Sequence, residues 1–127
     1  MLKTDILNAP LLAALATLGH TDTVIIADYG LPLPAGTPVV DLALVKGQLS
    51  FTAVLDVLAR NLVIEHSTLA SEAKGTAVYG WCTEAGLEPG FISHEELKAQ
   101  ITNAKLVVRT GEATAYANVI LRSGVPF

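Results

Sequence analysis

Apolar positions recur along the chain in two rhythms. In FTAVLDVLARNL, Phe51, Val54, Leu55, Leu58 and Leu62 are spaced to share one helix face, and Ser50 stands before them as an N-cap. LLAALATLG reads as another helix, with Asn8 as its N-cap, Pro10 tolerated in the first turn and Gly19 ending it. The second rhythm is the short unbroken apolar run. Thr23 to Ala27 is such a run, expected of a strand buried on both faces. Val39 to Leu44, Leu106 to Arg109 and Asn118 to Arg122 read the same way, as does Leu62 to Leu69, although Glu65 and His66 interrupt it. Residues 71–85 predict a weak helix containing Gly75 and Gly80, and Ser93 with Glu96 is a capping-box signature opening a helix through Asn103. Between the first two strands, DYGLPLPAGTP is too rich in breakers to be regular.

Strands alternating with helices predict an α/β fold: one compact domain over residues 1–127, with a mainly parallel sheet flanked by helices. Composition adds a second expectation. At 51% hydrophobic and 16% charged residues, the chain is apolar-rich for 127 residues, a size at which much of the surface stays in water. A membrane span does not absorb the excess. The longest apolar stretch runs from Ala9 to Leu18 and includes Thr17, against roughly 20 residues for a spanning helix. Asp5 and Asn8 interrupt the leader, so no signal peptide is read there. The expectation is a cytoplasmic homo-oligomer with its surplus apolar surface at subunit contacts.

The net charge of −4 and eight scattered Lys and Arg residues give no footprint for nucleic acid. Cys82 is the single cysteine, which excludes an intramolecular disulfide and reads as a buried, inert thiol. GxGxxG, GxxxxGK[ST], HxH, HExxH and GxSxG are all absent.

In a parallel sheet, chemistry collects beyond the carboxyl ends of strands. Asp28 follows one strand, Thr110-Gly111-Glu112 follows another, and Tyr116-Ala117-Asn118 comes soon after. Each has a plainer reading as a turn or cap. His94 and Lys98, one turn apart on a helix, offer two donors toward a polar ligand, or are simply an exposed helix start. His66 reads as a satisfied strand residue. His20 precedes the strand that Asp28 follows, and five extended residues separate their flanks by roughly 16 Å. Unless the HTD segment folds back, those two residues lie near opposite edges of the sheet. Either they are unrelated, with His20 a capping or surface histidine, or one chain's His20 faces its neighbour's strand ends. Neutral and weakly charged polar groups with one or two histidines suit an uncharged polyol and proton transfer near neutral pH.

LGHTDTVIIADYGLPLP, FISHEELK, VVRTGEATAYANVIL and the closing GVPF resemble the D-ribose pyranase family, related to the L-fucose mutarotases. The resemblance covers roughly residues 18–34 and 91–127, and the DxGLPxP and TGExxxYAN forms are closer to the ribose branch. It implies an isomerase without cofactor or metal that interconverts the β-pyranose and β-furanose forms of D-ribose. It also implies a ring-shaped homodecamer of two stacked pentamers, with sites between subunits. His20 matches the family's catalytic histidine, written as proton donor. Asp28, His94, Tyr116, Ala117 and Asn118 match sugar-binding positions, and Lys98 falls where the family also approaches the sugar. Two departures stand out: Ala115 where proline is expected, and residues 71–90 shorter and richer in glycine than the family's helix. The alternatives are a mutarotase for L-fucose or another monosaccharide, and a non-catalytic sugar-binding module associated with ribose uptake.

Overall fold

The computed structural model describes residues 1–127. Six strands form one sheet: β1 (Thr23–Ala27), β2 (Val39–Asp41), β3 (Ile64–Ala70), β4 (Gly90–Ile92), β5 (Leu106–Arg109) and β6 (Val119–Ser123), in the order β2-β5-β1-β6-β3-β4. The β2–β5, β5–β1 and β3–β4 pairs are parallel, whereas β6 runs antiparallel to both β1 and β3. The sheet is therefore mixed. Parallel strands need a long crossover, usually helical. Residues 110–118 contain no helix, so the chain leaves β5, passes the end of β1 and returns alongside it in the opposite sense.

Four helices cover the sheet: α1 (Ala9–Leu15), α2 (Phe51–Asn61), α3 (Ala77–Glu84) and α4 (His94–Gln100). Alternation along β1 decides which core each residue joins. Val24 and Ile26 pack with Leu11, Leu15, Val54, Leu55, Leu58, Val78 and Cys82 on one face. Ile25 and Ala27 pack with Leu97, Ile101 and Ala104 on the other. That two-sided burial is what the unbroken run TVIIA predicts.

Several boundaries differ from the sequence expectation for local reasons. The Asn8 side chain accepts from Leu11 N at 2.9 Å as expected, but α1 stops at Leu15, and Gly19 belongs to the next turn, donating to Asp22 Oδ2 at 2.8 Å. β2 ends early because the Asp41 carboxylate accepts from Ala43 N at 2.9 Å and turns the chain. The weak helix at 71–85 divides into a 3₁₀ turn, Ser71–Ala73, and α3, with Gly75 at φ +72° between them. α4 carries the capping box, then tightens into a 3₁₀ turn over Ile101–Asn103. β4 is a strand that the pattern does not announce. His66 is exposed, with its ring against Gly90, rather than satisfied inside the sheet.

No helix is long and apolar enough to cross a membrane. Leu7, Leu44, Val45 and Leu49 are exposed apolar side chains. Cys82 is fully buried, and burial pushes its thiol up to about 12.

Candidate active site

Two polar groupings lie at opposite edges of the sheet. The first collects where β1 ends, β6 begins and β4 leads into α4. Asp28 N donates to Asn118 Oδ1 at 2.9 Å, and Asn118 Nδ2 donates to Asp28 Oδ2 at 3.0 Å. These reciprocal bonds fix which way the buried Asn118 amide points. Gly30 N donates to Asp28 Oδ1 at 2.9 Å, so both carboxylate oxygens are held and each keeps a lone pair for a further donor.

Tyr116, two residues before Asn118, has φ +62°, a left-handed conformation that is uncommon for an aromatic residue. Asn118 N donates to Tyr116 O at 2.8 Å across this bend, and Ala117 is fully buried within it. The bend presents the Tyr116 ring to the edge of His94, with centroids 5.2 Å apart and planes at 81°. His94 is the first residue of α4, and its backbone N donates to Glu72 Oε2 at 2.9 Å. Its Nδ1 is buried without a hydrogen-bond partner. A buried polar atom left unpaired is costly, and a bound ligand is one way such an atom is satisfied. Asp28, His94, Tyr116 and Asn118 are thus brought together. Lys98, one turn along α4, is half-buried and turned to Glu95 at 2.6 Å, and this ammonium holds the Glu95 carboxyl below its ordinary range.

Thr110 and Glu112 support this edge. The buried Thr110 hydroxyl donates to Ala27 O at 2.8 Å. The Glu112 carboxylate accepts from Thr114 Oγ1 at 2.8 Å and from Phe51 N, the first residue of α2, at 3.0 Å. Burial pushes this carboxyl up, but bonds from Phe51, Thr114 and Ala113 outweigh it and hold the group below its ordinary value.

The second grouping surrounds His20. The strand register puts Thr23 opposite Arg122 and Ile26 opposite Val119, so His20 lies at the start of β1 and Asp28 at its end, as the extended-chain argument requires. His20 Nε2 donates to Glu65 Oε2 at 2.9 Å, and Arg122 Nε forms an ion pair with Glu65 Oε1 at 2.8 Å. The bond from His20 is the main cause holding the Glu65 carboxyl below its usual range. The sequence reading missed both Glu65 and Glu72. A carboxylate interrupting an apolar strand was the visible signal for Glu65; Glu72 had none, because β4 sets its distance to His94.

A depression of about 370 Å³ beside the first grouping is lined by Tyr29, Ala43, Leu44, Val45, Lys46, Arg109 and Gly111, and by none of the four clustered residues. No group of three or more His, Cys, Asp or Glu side chains is assembled to hold a metal ion.

Residues 1–126 match the RbsD / FucU transport protein family. The chain belongs to that family. It is 47% identical over 127 residues to a D-ribose pyranase of Cutibacterium acnes, with all of both chains covered. It is 48% identical over 131 residues to a D-ribose pyranase of Bacillus cereus strain B4264, again covering both in full. Among solved structures, Bacillus subtilis RbsD complexed with D-ribose matches at a TM-score of 0.94 and 42% identity, over 100% of each chain. The Streptococcus pneumoniae fucose mutarotase in complex with L-fucose matches at 0.79 and 20% identity over 94% of each, which is a likeness of fold.

Proposed function

We infer that the chain is a D-ribose pyranase, interconverting the β-pyranose and β-furanose forms of D-ribose by opening and closing the hemiacetal ring. The observation that carries this reading is the full-length relationship to D-ribose pyranases at 47–48% identity. The geometry agrees with it: the Asp28–Asn118 pair, the orphaned His94 Nδ1 and the Tyr116 ring offer acceptors, donors and an apolar face in the proportions a sugar presents. The L-fucose alternative has the joint RbsD / FucU family and a likeness of fold at 20% identity behind it.

Within this reading His20 is the acid–base group, and Asp28, His94, Tyr116, Ala117 and Asn118 hold the sugar, with Lys98 swinging from Glu95 to reach it. An exposed ion pair of this kind is screened by solvent and contributes little, so it gives way readily. Since His20 and Asp28 occupy opposite edges of one sheet, the site is shared: one subunit supplies His20 and its neighbour the sugar-binding edge. A ring of two stacked pentamers in the cytoplasm fits this sharing, and the exposed Leu44, Val45 and Leu49 supply apolar surface for subunit contacts. The reaction needs neither cofactor nor metal.

The test is exchange NMR on equilibrated D-ribose with catalytic amounts of protein, L-fucose run alongside. Magnetisation transfer between the β-pyranose and β-furanose signals is expected. Transfer confined to the anomers of fucose moves the chain to the mutarotase branch. Saturation of ribose signals without faster exchange leaves a binding module.

A further inference from the structure

Glu65 is the point at which β3 leaves its ladder. Ile64 pairs with Ser123 and His66 pairs with Arg122, so Glu65 is the extra residue of a bulge. A bulge re-aims the side chain it carries. Here it turns the carboxylate to span His20 Nε2 at 2.9 Å and Arg122 Nε at 2.8 Å. Gly124 lies behind it, its N–H donating to Val63 O at 2.8 Å, and a Cβ at Gly124 would sit 3.3 Å from the Glu65 Cβ.

The backbone around His20 is built with equal care. Thr21 has φ +71°, an outlier for a β-branched residue, which the surrounding contacts must hold in place. Thr21 N donates to Ser123 O at 2.8 Å, and Ser123 N returns a bond to Asp22 O at 2.8 Å. The His20 ring itself stays 54% exposed, and Glu65 is its hydrogen-bond partner within the chain.

We propose that Glu65 is the positioning residue for His20, fixing its ring and tautomer so that Nδ1 faces the sugar as the base. This rests on the assignment of His20 as the acid–base group. A carboxylate only accepts, so the bonded Nε2 carries the hydrogen and Nδ1 has the free lone pair. Nδ1 then takes the proton of the anomeric hydroxyl as the C1=O bond forms and the bond from C1 to the ring oxygen breaks. The resulting imidazolium returns that proton to the ring oxygen, now the C5 hydroxyl. Closure by the C4 hydroxyl runs the same transfers in reverse and gives the furanose. Glu65 balances the transient positive charge, and Arg122 keeps the carboxylate ionised and aimed. The other charged groups nearby are Asp22 and Lys105, paired at 3.5 Å beside the same turn, and His66 and Glu88, which line one shallow depression with Glu65.

The experiment compares wild type, His20→Ala and Glu65→Gln by ribose exchange NMR across pH, together with the ¹⁵N spectrum of the wild-type His20 ring. Glu65→Gln is expected to lower kcat by about tenfold or more with KM little changed. Its dependence on pH differs from that of wild type, because the imidazolium formed in the step loses its counter-charge. The wild-type ring is expected as the Nε2–H tautomer when neutral. Full activity in His20→Ala removes the acid–base assignment itself. Loss in His20→Ala with a wild-type rate and pH profile in Glu65→Gln overturns the role of Glu65 alone. An Nδ1–H tautomer in the wild-type protein also overturns it, whether or not the variant folds.

Discussion

Asn118 and Asp28 hold each other through two reciprocal hydrogen bonds across a sequence separation of 90 residues. The bonds stitch the start of β6 to the end of β1 and leave both side chains at the strand ends where the site is proposed. Asn118→Ala removes both bonds at once and leaves the Asp28 N–H without its partner. The expected cost is about 1–3 kcal/mol of stability, with a raised KM for ribose. Denaturant unfolding and exchange kinetics read the two effects separately; an unchanged KM would place Asn118 outside the sugar site.

The proposed site takes His20 and Asp28 from different chains, because they lie at opposite ends of β1 within one, and sharing has a stoichiometric signature. His20→Ala and Asp28→Ala chains should each be inactive alone. Unfolded and refolded together in equal amounts, they regain activity at about a quarter of the interfaces, those pairing an intact His20 with an intact Asp28. Mixtures as inactive as their components would return both residues to one chain.

Glu112 is a cap donated from a distant loop, its carboxylate receiving Phe51 N at the start of α2 and Thr114 at the start of the Tyr116 bend. Glu112→Ala is expected to cost about 1–2 kcal/mol, seen as a lower midpoint of thermal unfolding. The pH dependence follows from the sign of the shift. The folded-state value lies below the ordinary glutamate value of 4.5, so the contribution is complete above that pH and fades as the folded group protonates below it. The difference in midpoint between wild type and variant should therefore shrink on acidification from pH 5 toward 3. A difference that stays constant over that range would show that the charge is not what holds the cap.

Gly111 lies flat against the Gln48 backbone: its N–H donates to Leu49 O at 2.7 Å, and its carbonyl accepts from Gly47 N at 2.7 Å. A methyl group there would run into the Gln48 carbonyl. Backbone cannot step aside as a flexible side chain can, so Gly111→Ala should cost about 1–3 kcal/mol or more. Chemical denaturation is the measure, and a wild-type midpoint would mean that residues 42–49 shift freely.

The sequence by itself determined the elements whose signal is local. TVIIA had to be a strand covered on both faces, FTAVLDVLARNL had an apolar stripe to bury, and Asn8, Ser50 and Ser93 marked helix starts by their own side-chain bonds. The quoted motifs also named the family before any coordinate, and the rise of an extended chain put His20 and Asp28 at opposite edges. Tertiary structure alone decided what depends on which strands lie side by side. The reversed direction of β6, the three-residue β4 and the bulge at Glu65 come from pairing between segments far apart in sequence, where no local rhythm carries the information. The same pairing sets Asn118 against Asp28, Tyr116 against His94 and Glu65 against His20. Residue types along the chain supplied the candidate donors and acceptors; the sheet chose their partners.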